Sequence, residues 1–147
     1  MTTLADELME IEERLCADLL KLHYNSPVKF VYNPIDHAKE LHHNFLSRFY
    51  DGGERSVMFL GMNPGPWGMN QTGVPFGEVN MVRDLLKISG PVTPPVNQHP
   101  KRKVEGLDCK RSEVSGRRFW SFIKAGFFWR SRFGNMNSWI HLTQSIS

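Results

Sequence analysis

Residues 56–84 read SVMFLGMNPGPWGMNQTGVPFGEVNMVRD. The opening run, Ser56 to Met62, is short and apolar, the pattern of a buried parallel strand. It leads straight into Asn63-Pro64-Gly65-Pro66-Trp67-Gly68, where closely spaced glycines and prolines force a loop. Open α/β sheets bind ligands at such places, outside the carboxyl ends of their strands. Glycines let a backbone approach a ligand closely, and prolines fix the shape of the loop. Asn63 is the first polar side chain after the strand. Its amide both donates and accepts, so it can orient a water, or it can bond its own turn. Phe76 offers a flat apolar face to a base, or it is a core aromatic.

The loop runs on through Thr72-Gly73-Val74-Pro75-Phe76-Gly77. A helix is expected from Asn80, burying Met81, Val82, Leu85, Leu86 and Ile88 and ending at Gly90-Pro91. Upstream, Thr3-Leu4-Ala5-Asp6 opens a helix as a capping-box variant. Leu4, Leu8, Ile11, Leu15, Leu19 and Leu22 recur at helical spacing, with Asp6, Glu7, Glu10, Glu12 and Glu13 outside. The pattern predicts an amphipathic helix that packs on the rest and stops around Asn25-Ser26-Pro27. Val28 to Tyr32 is expected to be extended, Asp36 to Tyr50 helical, and Asp51-Gly52-Gly53 a turn. Downstream, residues 91–116 are rich in turns, and a helix is expected from Ser115 through Lys124. From Ala125 the chain turns aromatic and basic without clean periodicity. Residues 125–147 are therefore expected to be a divergent, poorly ordered tail after a first unit at 1–124.

The 147 residues suit one domain with a real core, and 40% hydrophobic with 22% charged residues is a globular composition. No apolar run is long enough for a membrane span, and the N-terminus lacks the order of a secretory signal. Two cysteines, Cys16 and Cys109, imply no disulfide framework, and an intracellular compartment follows as the expectation. The net charge of +3 is unevenly spread. Residues 1–98 hold eight Lys/Arg against twelve Asp/Glu, whereas residues 99–132 hold ten against three. A basic second half suits a polyanion such as nucleic acid, or it is a solvated basic face.

Several other chemistries lack their residues. No Gly-Lys-Ser/Thr follows Gly65-Pro66-Trp67-Gly68, so this is not a phosphate loop. His42 and His43 are adjacent and diverge on a helix, so they read as surface or half-buried residues rather than a metal pair. Two distant cysteines make no zinc site. Ser115 lacks the nucleophile elbow and reads as a helix cap.

Residues 61–86, GMNPGPWGMNQTGVPFGEVNMVRDLL, resemble the first catalytic motif of single-strand-selective monofunctional uracil-DNA glycosylases. Gly-Met-Asn-Pro-Gly-Pro stands at 61–66 and Gly-Val-Pro-Phe-Gly-Glu-Val at 73–79. Tyr32-Asn33-Pro34, Gly90-Pro91-Val92, His99-Pro100-Lys101-Arg102, Ser112-Glu113-Val114-Ser115-Gly116 and Arg118-Phe119-Trp120 match as well. The resemblance runs from the N-terminal helix to about Lys124. It implies a three-layer α/β/α fold with a central parallel sheet, incomplete in this chain, and a target nucleotide flipped into a pocket. It implies a hydrolase of base-excision repair that cleaves the N-glycosidic bond of uracil and oxidised uracils in single- and double-stranded DNA.

By the same resemblance Asn63 positions the hydrolytic water, Phe76 stacks on the base, and the Met62 backbone helps hold the pyrimidine. Gly61, Pro64 and Gly65 complete the substrate-binding loop. Lys101, Arg102, Arg117 and Arg118 are the candidate phosphate contacts, with solvent-facing charge as their alternative. No metal or organic cofactor is expected. DNA carrying uracil or oxidised uracil is the expected partner, with no membrane, a monomeric state and a nuclear location.

The family's second motif, His-Pro-Ser, supplies a histidine that stabilises the departing base. None of His23, His37, His42, His43, His99 and His141 is followed by Pro-Ser. The base-reading asparagine and the DNA-intercalating segment also find no match, and the tail reads as an alternative exon or a reading-frame change. The expectation is an impaired glycosylase. The alternatives are a catalytically inactive nucleic-acid-binding remnant and a domain for a small ligand other than DNA.

Overall fold

The computed structural model describes the backbone of residues 2–50, 57–133 and 140–144, and the side chains of residues 2–50 and 58–125. Helix α1 spans Leu4–Leu19, α2 Pro34–His37 and α3 Lys39–Phe49. Strand β1 is Val57–Gly61, followed by the short helix α4 at Met69–Thr72. A π-helical turn at Met81–Leu85 and a 3₁₀ turn at Gly106–Asp108 precede helix α5, Val114–Phe133, and strand β2, Ile140–Gln144. The described residues form a mixed structure with much helix and little strand. The expected turn at Asp51-Gly52-Gly53 lies outside them.

α1 begins as its sequence dictates. The Thr3 hydroxyl accepts the Asp6 amide at 3.1 Å, and the Asp6 carboxylate accepts the Thr3 amide at 2.9 Å. This reciprocal cap satisfies two otherwise orphaned donors. The helix ends at Leu19, before the expected stop at Asn25-Ser26-Pro27. Its docking edge shares only Leu8 and Leu19 with the leucine stripe. Ala5 is buried and Leu8, Met9, Glu12, Cys16 and Leu19 half-buried, while Leu4, Ile11, Leu15 and Leu22 are exposed. The edge that carries Ala5 and Glu12 faces α3, because Glu12 finds a partner there.

The expected helix over 36–50 is broken in two. Asn33 caps α2 by accepting the Ile35 amide at 3.2 Å, with Pro34 at the first helical position. Ala38, at φ −114° and ψ 31°, interrupts the run before α3 starts. α3 buries Leu41, His42, Phe45 and Leu46 on one face. A leucine or phenylalanine buried in this way stabilises a fold by about 1.5–3 kcal/mol. Leu41, Phe45 and Leu46 join Ala5, Tyr50, Val74, Val82, Leu86, Ile88, Trp120 and Ile123 in one core. The segment Val28–Tyr32 joins no described strand.

β1 lies where the apolar run predicts it. Phe59 is half-buried and meets Phe119 of α5 edge-on at 5.2 Å, while Met58 and Leu60 on the opposite face are exposed. β2 pairs with β1 in parallel, in a register that sets Val57 against Ile140 and Gly61 against Gln144. α5 runs past the expected helix end at Lys124 to Phe133, and β2 follows at Ile140–Gln144. Gly126 is the only glycine or proline between Arg117 and Phe133, so little in the sequence stops the helix. The helix expected from Asn80 is a wide π turn in which the Leu86 amide donates to the Met81 carbonyl at 2.9 Å. It ends at Leu85, and Lys87 just beyond it has a φ of 55°, well before Gly90 is reached.

Candidate functional site

β1 delivers Gly61, Met62 and Asn63 to the carboxyl end of the sheet. Gly61 is buried, and Met62 and Asn63 are exposed. Among the contacts of Asn63, its amide donates to the Pro64 carbonyl at 3.3 Å. The side chain thus stands at the mouth of the strand-end loop and engages the local backbone. Pro64 and Gly65 beyond it are half-buried.

The loop is held from below by Glu113, just ahead of α5. A Cβ on Gly65 would lie 3.1 Å from the Glu113 carboxyl carbon, and one on Gly68 only 2.3 Å from its Oε2. A side chain at either position would push the Glu113 carboxylate out of this place. The Glu113 carboxylate accepts a hydrogen bond from the Ser115 hydroxyl, and the Gly116 amide lies close to it. Its Oε2 is buried and has no hydrogen-bond partner among the described residues. Burial pushes the Glu113 carboxyl above the usual glutamate range, and the nearby Glu78 charge adds to this against the opposing Gly116 amide. Glu78 is fully buried at the start of the π turn, accepting the Met81 backbone amide at 3.0 Å and the Asn80 side-chain amide at 3.1 Å.

Phe76 is positioned by strain and packing together. Its φ of 53° lies in the left-handed region, which costs a non-glycine residue about 1–2 kcal/mol. Its ring stacks on Phe119 at 4.4 Å and 20°, and its carbonyl accepts the Trp120 indole N–H at 2.9 Å. Gly116 permits this approach, since a Cβ there would lie 2.4 Å from the Phe76 oxygen. A strained residue held by several independent contacts is a common feature of binding sites.

Gln71 was not singled out by its sequence, yet it ties the loop to the basic half. Its amide donates to the Pro66 carbonyl at 2.8 Å and the Lys103 carbonyl at 2.9 Å. Its oxygen accepts the amides of Glu105 at 2.7 Å and Gly106 at 3.1 Å, which fills its hydrogen-bonding capacity. Tyr32 holds the same region, donating to the Arg102 carbonyl at 2.9 Å and accepting the His99 amide at 2.7 Å. Lys101 and Arg102 are exposed on this pinned turn, and Arg117 and Arg118 are exposed on the first turns of α5.

The structure therefore brings Asn63, the glycine loop, Phe76 and the start of α5 into one unit. Glu113, Phe119 and Trp120 are its supports, though their sequence marked them only as part of longer matching stretches. The described histidines are largely engaged elsewhere. His37 is buried and its Nε2 donates to the Asn70 carbonyl at 2.7 Å. His42 is also buried, contrary to the expectation of a surface or half-buried residue. Its Nδ1 lies 2.6 Å from the Gly73 oxygen and its Nε2 2.8 Å from a Glu12 oxygen. The Nδ1 of His99 accepts the Lys101 amide at 3.1 Å. Among the described residues no three His, Cys, Asp or Glu side chains cluster as a metal site requires, and no helix is long and apolar enough to cross a membrane.

No family model matches the chain. Known proteins do. Over 122 residues it is 56% identical to the mouse single-strand selective monofunctional uracil DNA glycosylase, a match covering 83% of this chain and 43% of that protein. The rat protein of that name is also 56% identical over 122 residues, and the bovine one 52%, each covered to 44% of its length. The class of protein these matches point to is the uracil-DNA glycosylases. Within it, the chain is a relative of the single-strand selective monofunctional family and spans less than half the length of the relatives it matches.

Proposed function

We propose that this chain carries the water-positioning and base-stacking half of a uracil-DNA glycosylase site, and that it binds DNA through that site while turning over slowly. The observation that carries this reading is the strand-end unit. Asn63 and the Gly65–Gly68 loop leave β1 and are locked to a strained Phe76 through Glu113, Gly116 and Trp120. The relatives are named as glycosylases of uracil in DNA. In this reading a uracil or oxidised uracil flips out of the strand and lies against Phe76. Asn63 orients the attacking water. An amide is no strong base, so bond breaking must run ahead of attack and leave charge on the departing base. The described parts of the site belong to the family's three-layer α/β/α fold, acting as a monomer in the nucleus.

Turnover is slow in this reading because no electrostatic partner for the leaving base is identified among the described residues. His37, His42 and His99 each bond to a backbone group or to Glu12. Loss of one such group costs about 10²–10³ in rate. The test is single-turnover uracil release from a single-stranded oligonucleotide, with a complete relative for comparison and Asn63→Ala as control. Release at least a hundredfold slower than the relative is expected. Equal rates, abolished by Asn63→Ala, would show that another residue of this chain meets the leaving base. The fully inactive nucleic-acid-binding alternative draws on the Asn63 bond to Pro64, and predicts DNA binding with no release at any time.

A further inference from the structure

Arg111 lies outside the strand-end loop and before α5, and no motif marks it. Its guanidinium carbon sits 4.5 Å from the centre of the Trp67 ring. Trp67 belongs to the loop that carries Asn63, Gly65 and Gly68, and it is half-buried. Among the described residues no carboxylate pairs with Arg111, in contrast to Arg83, which Asp84 holds at 2.8 Å. The nearest acid in sequence, Glu113, is turned inward against the glycine loop. Lys110, Arg111, Arg117 and Arg118 are all exposed. The charge beside the loop is therefore presented outward and not neutralised locally.

A guanidinium resting on an indole has one face occupied and its N–H edge open. Its donors lie in one plane, the geometry that matches two oxygens of a phosphodiester. The ring also removes much of the side chain's freedom before a ligand arrives. An ammonium in the same place would keep the charge and lose the fork.

We propose that Arg111, stacked on Trp67, is a phosphate-binding residue that grips the nucleic-acid backbone at the rim of the strand-end loop. This rests on the reading that the loop meets DNA. The test uses the full chain and a uracil-free, dye-labelled single-stranded oligonucleotide, titrated over a series of salt concentrations. Arg111→Gln should make the slope of log affinity against log salt shallower by about 0.7, the value for one phosphate contact on a single strand. Arg111→Lys should keep the slope and bind more weakly than the unsubstituted chain. Trp67→Leu should do the same, because the charge remains but its orientation is lost. Melting curves confirm that each variant is folded. If the unsubstituted chain binds with a salt-dependent affinity that Arg111→Gln leaves unchanged, or strengthens, the role of Arg111 is overturned and the DNA reading stands. If the unsubstituted chain shows no salt-dependent binding, both fall. Because the probe lacks uracil, failure of the base pocket alone cannot mimic either result.

Discussion

Phe76 and Glu113 show how much a single residue's meaning depends on what surrounds it. The Phe76 ring already stacks on Phe119, so it is at once a core aromatic and a candidate base platform. Base stacking contributes about 1–3 kcal/mol. Phe76→Ala is therefore expected to weaken binding to a uracil-containing strand more than to an unmodified one, and also to lower the melting temperature. Paired titrations check this, and equal weakening of both strands would remove the base-stacking role. Glu113 offers a pH test. Its carboxyl is raised above the ordinary glutamate range, so the folded chain holds that proton more tightly than the unfolded chain. Its contribution to stability is thus favourable at low pH and is lost as pH rises through the raised value. Glu113→Gln cannot ionise. Its melting temperature relative to the unsubstituted chain should climb as pH rises from the ordinary glutamate range toward neutrality. A difference independent of pH would mean that the carboxyl is not shifted.

At the scale of elements, α1 is attached by an edge that shares only Leu8 and Leu19 with its leucine stripe. Glu12 reaches the buried His42 of α3, and His42 in turn reaches the Gly73 carbonyl behind the Phe76 loop. Removing the ring leaves the Gly73 carbonyl or the Glu12 carboxylate without its hydrogen-bond donor, a loss of about 1–3 kcal/mol. His42→Ala should lower stability by that amount in denaturant titrations. Ile11→Ser, on the exposed part of the stripe, should change it by no more than about 0.5 kcal/mol. Near-equal effects would mean that α1 docks through its leucines after all. The basic elements have their own test. Lys101 and Arg102 sit on a turn pinned by Tyr32 and Gln71, and Arg117 and Arg118 on α5. Replacing all four with Gln should flatten the salt dependence of DNA affinity, by up to about 0.7 for each single-strand phosphate that is no longer neutralised. An unchanged slope would make them solvated charge.

Across the molecule, the site is built where a strand end, a loop and a helix start converge. β1 contributes Asn63, the loop contributes Phe76, and the segment entering α5 contributes Glu113, Gly116, Phe119 and Trp120 as supports. The core of α3, the π turn and α5 holds these pieces in register. Parallel sheets are normally covered on both faces. Here Phe59 packs on α5 while Met58 and Leu60 face outward, so β1 is covered on one side among the described residues. This arrangement fits a chain that spans less than half of its relatives' length.

Local chemistry made part of this legible. The Thr3–Asp6 cap, the apolar run of β1 and the loop forced by Pro64, Gly65 and Pro66 follow from interactions between near neighbours in the chain. The spacing of Asn63 and Phe76 within a long matching stretch likewise pointed to the family by sequence alone. Contacts between distant residues decided the rest. Whether the leucine stripe or the Glu12 edge of α1 is buried depends on His42, thirty residues away. Gln71 looks like any polar residue until its amide meets Pro66, Lys103, Glu105 and Gly106. The π turn, the left-handed Phe76 and the inward Glu113 are states that local preference disfavours. They persist because tertiary packing outweighs intrinsic propensity, and no pattern of near neighbours records which distant groups will supply that packing.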